Sequence, residues 1–275
     1  MNPIQFRRHL HMHPELSFRE HDTAAFISAR LSELGIEHRP IAGTGVLAKI
    51  EGRGKADPKR RAVVLRADID ALPIDERNDF DWKSCNQGVM HACGHDMHAA
   101  VLFGVLQQLA TEPDFRGTIF GLFQPGEETF EGARAAIADG LLQNPRPQAV
   151  FAMHVNSQSP LGLVLYGSPA LSGVYGFRIT LQGKGGHGSS PEICIDPITA
   201  GVHVHLALQE LIAREVPAAK EVALTVGKFA GGLAANVIPD TCVLEGTLRG
   251  FDVELMAHLK TRIAEVVNGV AATYR

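Results

Sequence analysis

Three short apolar runs in this chain each stop on polar side chains suited to chemistry. Ala62–Leu65 leads into Arg66-Ala67-Asp68, Thr118–Phe123 breaks at Gln124-Pro125-Gly126 and gives way to Glu127-Glu128, and the run from Gln148 ends on His154. Runs of this length and branched-residue content read as strands buried on both faces, the kind found in parallel sheets under helices. Val46 to Ile50 reads as a further strand. Helical patterns fall around and between them: Ile27, Leu31 and Leu34 at helical spacing up to Gly35, the long apolar stretch Ala99–Ala110 with Asp96 as its expected N-cap, and an alanine-rich helix around Ala133–Ala138 that ends at Gly140. The alternation predicts an α/β fold, a sheet with helices on both faces. In such sheets ligands gather beyond the carboxyl ends of the strands, where Asp68, Glu127, Glu128 and His154 all stand.

Bulk properties narrow the function. With 275 residues, 45% of them hydrophobic, the chain can bury one large core or two moderate ones. A net charge of -4 and the lack of a dense lysine or arginine stripe argue against nucleic acid as a partner. No window approaches the ~18 uninterrupted apolar residues of a membrane span, so no membrane partner and a cytoplasmic location are expected. Cys85, Cys93, Cys194 and Cys242 are scattered and read as reduced thiols. His91, His95 and His98 fall close together, a local enrichment that suggests a site.

The pattern changes near residue 173. Val174–Leu181 alternates as a half-exposed strand and enters the glycine-rich stretch Gly183–Ser189, predicted to be a flexible turn presenting His187. A helix from Pro197 to Arg214, strands at Val222–Phe229 and Val237–Phe251, and a helix through Asp252–Val267 follow. Two domains are therefore expected, 1–172 and 173–275. The strand-helix-strand-strand-helix order of the second is a ferredoxin-like split-βαβ sandwich lacking its last strand.

Cys93-Gly94-His95 precedes the start of a helix, where free N–H groups and the helix dipole favour a thiolate. The glycine lets the backbone curl so that sulfur and imidazole face one cavity. Alone, Cys-x-His describes a buried thiol beside a surface imidazole equally well. Adjacent acids at the end of a buried strand are harder to account for, because burial and mutual repulsion both cost free energy that a cation would offset. One carboxylate can then ligate the metal while its neighbour takes a proton from water. His154 emerges at the sheet rim beside them. Arg66 neutralises Asp68 and Asp70, which suits these acids to orienting a ligand histidine rather than ligating. His9, His11 and His13 precede Pro14 and read as a solvated N-terminal surface.

Together, His11–Leu16 (HMHPEL), Arg66–Ile74 (RADIDALPI), Met90–His98 (MHACGHDMH), Gln124–Glu128 (QPGEE), Lys184–Pro191 (KGGHGSSP), Asn236–Pro239 (NVIP) and Arg249 make the chain resemble a known family. It is similar to the amidohydrolases of the aminoacylase, hippurate hydrolase and carboxypeptidase group of co-catalytic metallopeptidases, in the N-acyl-amino-acid branch. The resemblance implies a zinc-peptidase-like sheet with an inserted ferredoxin-like lid and dimerisation domain. It further implies up to two divalent ions per subunit (zinc, manganese, nickel or cobalt), with Cys93, His95, Glu128 and His154 as ligands and Glu127 as general base. Asp68 accompanies the base, His187 stabilises the oxyanion across a homodimer, and Asn236 and Arg249 hold the substrate carboxylate. Members of the family continue past the position of Arg275 with the lid's last strand, more of the catalytic sheet and a further histidine ligand. The expectation is therefore a shortened chain whose second metal binds weakly.

The implied activity is metal-dependent hydrolysis of N-acyl amino acids. Dipeptidase or carboxypeptidase action is the alternative within the family, and a shortened paralogue that binds metal or ligand without turnover is the non-enzymatic one.

Overall fold

Residues 1–54, 61–143, 145–167 and 171–275 are described by the computed structural model. They separate into two units, Met1–Leu161 and Gly162–Arg275. The first opens with helices α1 (Pro3–Met12) and α2 (His21–Glu33) and strands β1 (Glu37–Ile41), β2 (Gly45–Glu51) and β3 (Ala62–Asp68). Helix α3 (His95–Thr111), strand β4 (Thr118–Gln124), helix α4 (Gly132–Ala138) and strand β5 (Ala149–Ala152) complete it. The strands form one sheet in the order β1-β2-β4-β3-β5. β3 runs parallel to β4 and β5, while β2 pairs antiparallel with β1 and β4.

Period-two alternation sends side chains to opposite faces. Val46, Ala48 and Ile50 of β2 and Phe123 of β4 share a core with Phe6, Leu10, Ile27, Leu31 and Phe103 of α1 to α3. Leu47, Val64, Phe120 and Leu122 share the other with Ala136 of α4. Helix α3 lies so close to the sheet that a Cβ at Gly121 would come within 2.6 Å of Leu106. The register then builds the site. Asp68 pairs with Gln124 at the shared carboxyl end of β3 and β4, and Arg66 pairs with Ala152, so the loops carrying Asp70, Glu127 and His154 leave from neighbouring strands.

Several expectations need correction. Asp96 does not cap α3; Gly94 does, at φ 83°, and Asp96 lies fully buried inside the first turn, bonded to Arg7 and His11. His11 is not on a solvated surface: α1 runs through it, the helix ends before Pro14, and its ring is 3% exposed between Asp96 (2.7 Å) and Glu76 (3.0 Å). β5 is shorter than expected. Among the described residues it pairs with β3 only, and Val150 and Phe151 are 52% and 58% exposed.

The second unit contains β6 (Gly173–Gln182), β7 (Gly186–His187), α5 (Pro197–Glu215), β8 (Val222–Gly231), β9 (Val237–Ile238), β10 (Thr241–Gly250) and α6 (Val253–Thr273). An antiparallel sheet of order β6-β10-β8 shares one core with both long helices, through Leu181, Leu244, Leu248, Val204, Leu208 and Leu259 among others. The expected single strand Val237–Phe251 is broken at Pro239-Asp240, where proline has no N–H to give a ladder. The glycine-rich stretch is likewise not a free turn. Gly186 and His187 pair with Ile238 and Val237, and Asp240 takes the Gly185 N–H at 2.9 Å. Among the described residues no helix is long and apolar enough to cross a membrane.

Candidate metal centre

Gly94 sets the geometry of the first two donors. Its positive φ turns the chain into α3 immediately after Cys93 and places His95 in the first turn, buried to 1% exposure. His95 Nδ1 bonds the Asp70 backbone oxygen at 2.9 Å and Oδ1 at 3.2 Å. A donor fixed on that side leaves Nε2 as the atom presented to the cavity. Nε2 lies 3.8 Å from both Glu127 Oε2 and Glu128 Oε1, and 3.7 Å from Asp68 Oδ2. Cys93 Sγ is 3.4 Å from His154 Nε2.

The carboxylate loop is tied at both ends. Buried Glu20 accepts the Gly126 N–H at 2.9 Å with one oxygen and the Thr44 hydroxyl with the other. Gly126 sits at φ 61°, and a Cβ there would lie 2.4 Å from the Phe18 ring. At the other end Asp70 Oδ2 accepts the Glu128 N–H at 2.9 Å and the Ser17 hydroxyl at 2.7 Å. Asp70 thus orients one donor's ring and the other's backbone at once.

Electrostatics in the cation-free chain differ from the local expectation. Burial, then the charges of Glu128 and Glu127, push the Cys93 thiol up to about 12, so the helix start alone does not make a thiolate. Burial and the charge of Glu127 also raise Glu128, against the pull of His95. For His95 burial opposes the charge, but the Asp70 bond and the charge of Asp68 outweigh it and lift the ring to about 8. Asp68 is held at about 2 despite burial, by its His98 bond and by Arg66 at 2.7 Å. Three carboxylates crowd one imidazole, and among the described residues the buried atoms His95 Nε2 and Glu128 Oε1 have no hydrogen-bond partner. Thiol, imidazole and carboxylate donors, crowded together with two of their buried atoms unpartnered among the described residues, fit a divalent cation.

The sequence-derived residues are placed as follows. Cys93, His95 and His154 offer donor atoms all within 4.8 Å of one another, and so do His95, Glu127 and Glu128. Asp68, with Oδ2 3.7 Å from His95 Nε2, is already bonded to Arg66 and to His98. In the second unit His187 is exposed with Nδ1 2.7 Å from Ser189 Oγ, and Asn236 is its neighbour through the Gly188 N–H bond to the Asn236 carbonyl at 2.8 Å. Arg249 does not join them within that unit. It pairs with Val174 at the far end of β10 from Thr241, roughly 27 Å along the strand at about 3.4 Å per residue.

The sequence reading left out the role of His98 and the clamp from Glu20, while Asp70 orients His95 as its expected part in holding a histidine requires. His98 was visible as the i+3 partner of His95 on one helix face. Glu20 carried no sign beyond an acid ahead of a helix.

Comparison with known proteins gives three concordant findings. The profile of peptidase family M20/M25/M40 matches residues 64–270. N-acetyl-L-cysteine deacetylase of Bacillus subtilis (strain 168) is 42% identical over 274 residues, which cover 98% of this chain and 64% of that protein. IAA-amino acid hydrolase ILR1-like 4 of Arabidopsis thaliana is 39% identical over 272 residues, 98% of this chain and 60% of that protein. A solved Bacillus subtilis structure, described as a dinuclear metal binding peptidase from the M20 family, has a TM-score of 0.78 at 35% identity and covers 99% of this chain and 70% of that one. The chain spans under two thirds of the length of the two curated relatives.

Proposed function

The chain belongs to the M20/M25/M40 peptidase family, and on that premise we propose that it hydrolyses the amide bond of N-acyl amino acids at a divalent metal centre. Cys93, His95, Glu128 and His154 would hold the metal. When bound, the cation supplies Lewis acidity toward a water and the amide carbonyl. One observation carries the proposal: two buried, unpartnered donor atoms, His95 Nε2 and Glu128 Oε1, stand 3.8 Å apart with a second carboxylate beside them.

Glu127 is the group free to move a proton. Its side chain is 35% exposed, whereas Glu128 is 22% exposed and its backbone is fixed by Asp70. Glu127 takes a proton from water as the oxygen adds to the carbonyl carbon. It then gives that proton to the amine nitrogen as the C–N bond breaks, leaving a carboxylate and a free amino acid. Asp70 and Asp68 keep the imidazoles oriented while this happens. For His187 the family role is stabilising the oxyanion, and for Asn236 and Arg249 it is holding the substrate carboxylate, where a guanidinium suits a bidentate pair. The names of the two curated relatives, a deacetylase of N-acetylcysteine and a hydrolase of amino-acid conjugates, support this substrate class.

The test is hydrolysis of N-acetyl- and N-benzoyl-amino acids against dipeptides, with the chain loaded separately with zinc, manganese, nickel or cobalt. Glu127→Gln is expected to lower kcat by roughly 10²- to 10⁴-fold while metal is retained. Equal rates for the two chains refute the role of Glu127, and faster turnover of dipeptides moves the substrate class to peptides.

A further inference from the structure

His154 is the donor with the least visible support. It lies beyond the end of β5, is exposed, and its Nδ1 bonds only the carbonyl of the next residue, Val155, at 2.7 Å. β5 is an edge strand whose pairing with β3 stops at Ala152. Something else must fix where the ring goes.

The backbone of Val155 is held from α3. Its N–H lies 3.0 Å from His98 Nε2, and His98 Nδ1 lies 2.6 Å from Asp68 Oδ1. A backbone N–H can only donate, so Nε2 is the accepting nitrogen and the ring proton sits on Nδ1, given to Asp68. Both nitrogens of this 1%-exposed ring are used, which leaves none for a cation although Asp68, His95 and His98 stand close together. The other oxygen of Asp68 takes Arg66 at 2.7 Å, so the chain of bonds starts on β3. Val155 is gripped a second time, because a Cβ on Gly94 would come within 2.5 Å of its Cγ2. The rings of His98 and His154 meet edge-on with centroids 4.5 Å apart.

Resting on the metal-centre assignment above, we propose that His98 is a positioning residue that carries the fixed geometry of β3 through Asp68 to the Val155 backbone and so sets the imidazole of His154. It acts on the metal only through His154. Residues bonded behind a metal ligand change metal affinity by about 10- to 100-fold when removed.

Two measurements on the full chain decide this. In the metal-free protein, His98→Ala is expected to abolish hydrogen-exchange protection of the Val155 amide while the amides of β3 and β4 stay protected. In a Co²⁺ titration, His98→Ala and His154→Ala are each expected to weaken binding about 10- to 100-fold, and the double variant no further, because both remove one contribution. His98→Asn can still accept with one atom and donate with another, so it should recover part of both effects and serves as the comparison should His98→Ala not fold. Losses that multiply in the double variant, or a Val155 amide equally protected in His98→Ala, overturn the proposal. A wild-type chain that takes up no Co²⁺ refutes the metal assignment instead, and amide exchange alone then decides the clamp.

Discussion

Compare the two imidazoles flanking Cys93 in space, His95 and His154. His95 is buried in the first turn of a long helix and bonded through Nδ1 to Asp70, which also holds Glu128 and Ser17. His154 hangs from a loop after a short edge strand, exposed, with Nδ1 bonded to its neighbour's carbonyl and Nε2 3.4 Å from Cys93 Sγ. Both offer an Nε2 to one centre. On the His95 wall folding and site-building use the same bonds, whereas on the His154 wall they separate. Stability measurements therefore report on one wall and metal affinity reports on both.

Asp70→Ala strikes the first wall hardest. It leaves the buried His95 ring only the Asp70 backbone oxygen and takes the acceptor from the half-buried Glu128 N–H and the Ser17 hydroxyl, and polar groups left unpaired in this way cost about 1–3 kcal/mol. Denaturant unfolding of the metal-free chain measures this; a loss below about 1 kcal/mol would erase the distinction between the walls. His154→Ala is the converse case. Unfolding free energy should stay within about 0.5 kcal/mol of the parent, as for other exposed positions, while metal affinity falls in a chelator competition. A large drop in unfolding free energy would show that the loop is part of the core after all.

The smallest expected effect is in pH dependence. His95 is raised from 6.5 to about 8 in the folded, metal-free chain, so the proton it holds stabilises the fold fully below pH 6.5 and ceases to do so as pH climbs through 8. Asp68, lowered from 3.8 to about 2, contributes above pH 3.8 and loses its contribution as pH falls through 2. The Tm of the metal-free chain should accordingly decline between pH 6.5 and 8, and His95→Asn should flatten that segment. Metal affinity should run the opposite way and rise with pH, because binding expels protons from Cys93 and His95. Calorimetry in buffers of different ionisation enthalpy counts those protons; release of none would contradict both shifts.

What the sequence revealed was what one segment decides by itself. β4 is legible in its unbroken apolar run, α3 in its length and composition, and Gly94 in its need for a positive φ, because each depends on neighbours in the chain. The candidate donors are legible because Glu127, Glu128 and His154 follow strand-like runs and Cys93 and His95 stand at a helix start. Asp96 and His11 were misplaced because their partners lie 85 positions apart, and no local pattern distinguishes a solvated histidine tract from one ring packed on a buried acid. The Cys93 thiol was misjudged for the same reason: the helix start favours its charge, but carboxylates from the loop after β4 oppose it more strongly. The break at Pro239-Asp240 could have been called from proline alone, yet the apolar alternation on both sides masked it.

The bond from Glu20 to Gly126 spans 106 positions. Since contacts of long sequence separation form late and slow the search for the native state, a nascent chain holding only the first hundred residues has α1 and α2 but neither β4 nor the acidic loop that Glu20 holds. Seating of the acidic loop should therefore come in one step during synthesis, once β4 has docked, and a protease pulse on stalled ribosomes would date that moment.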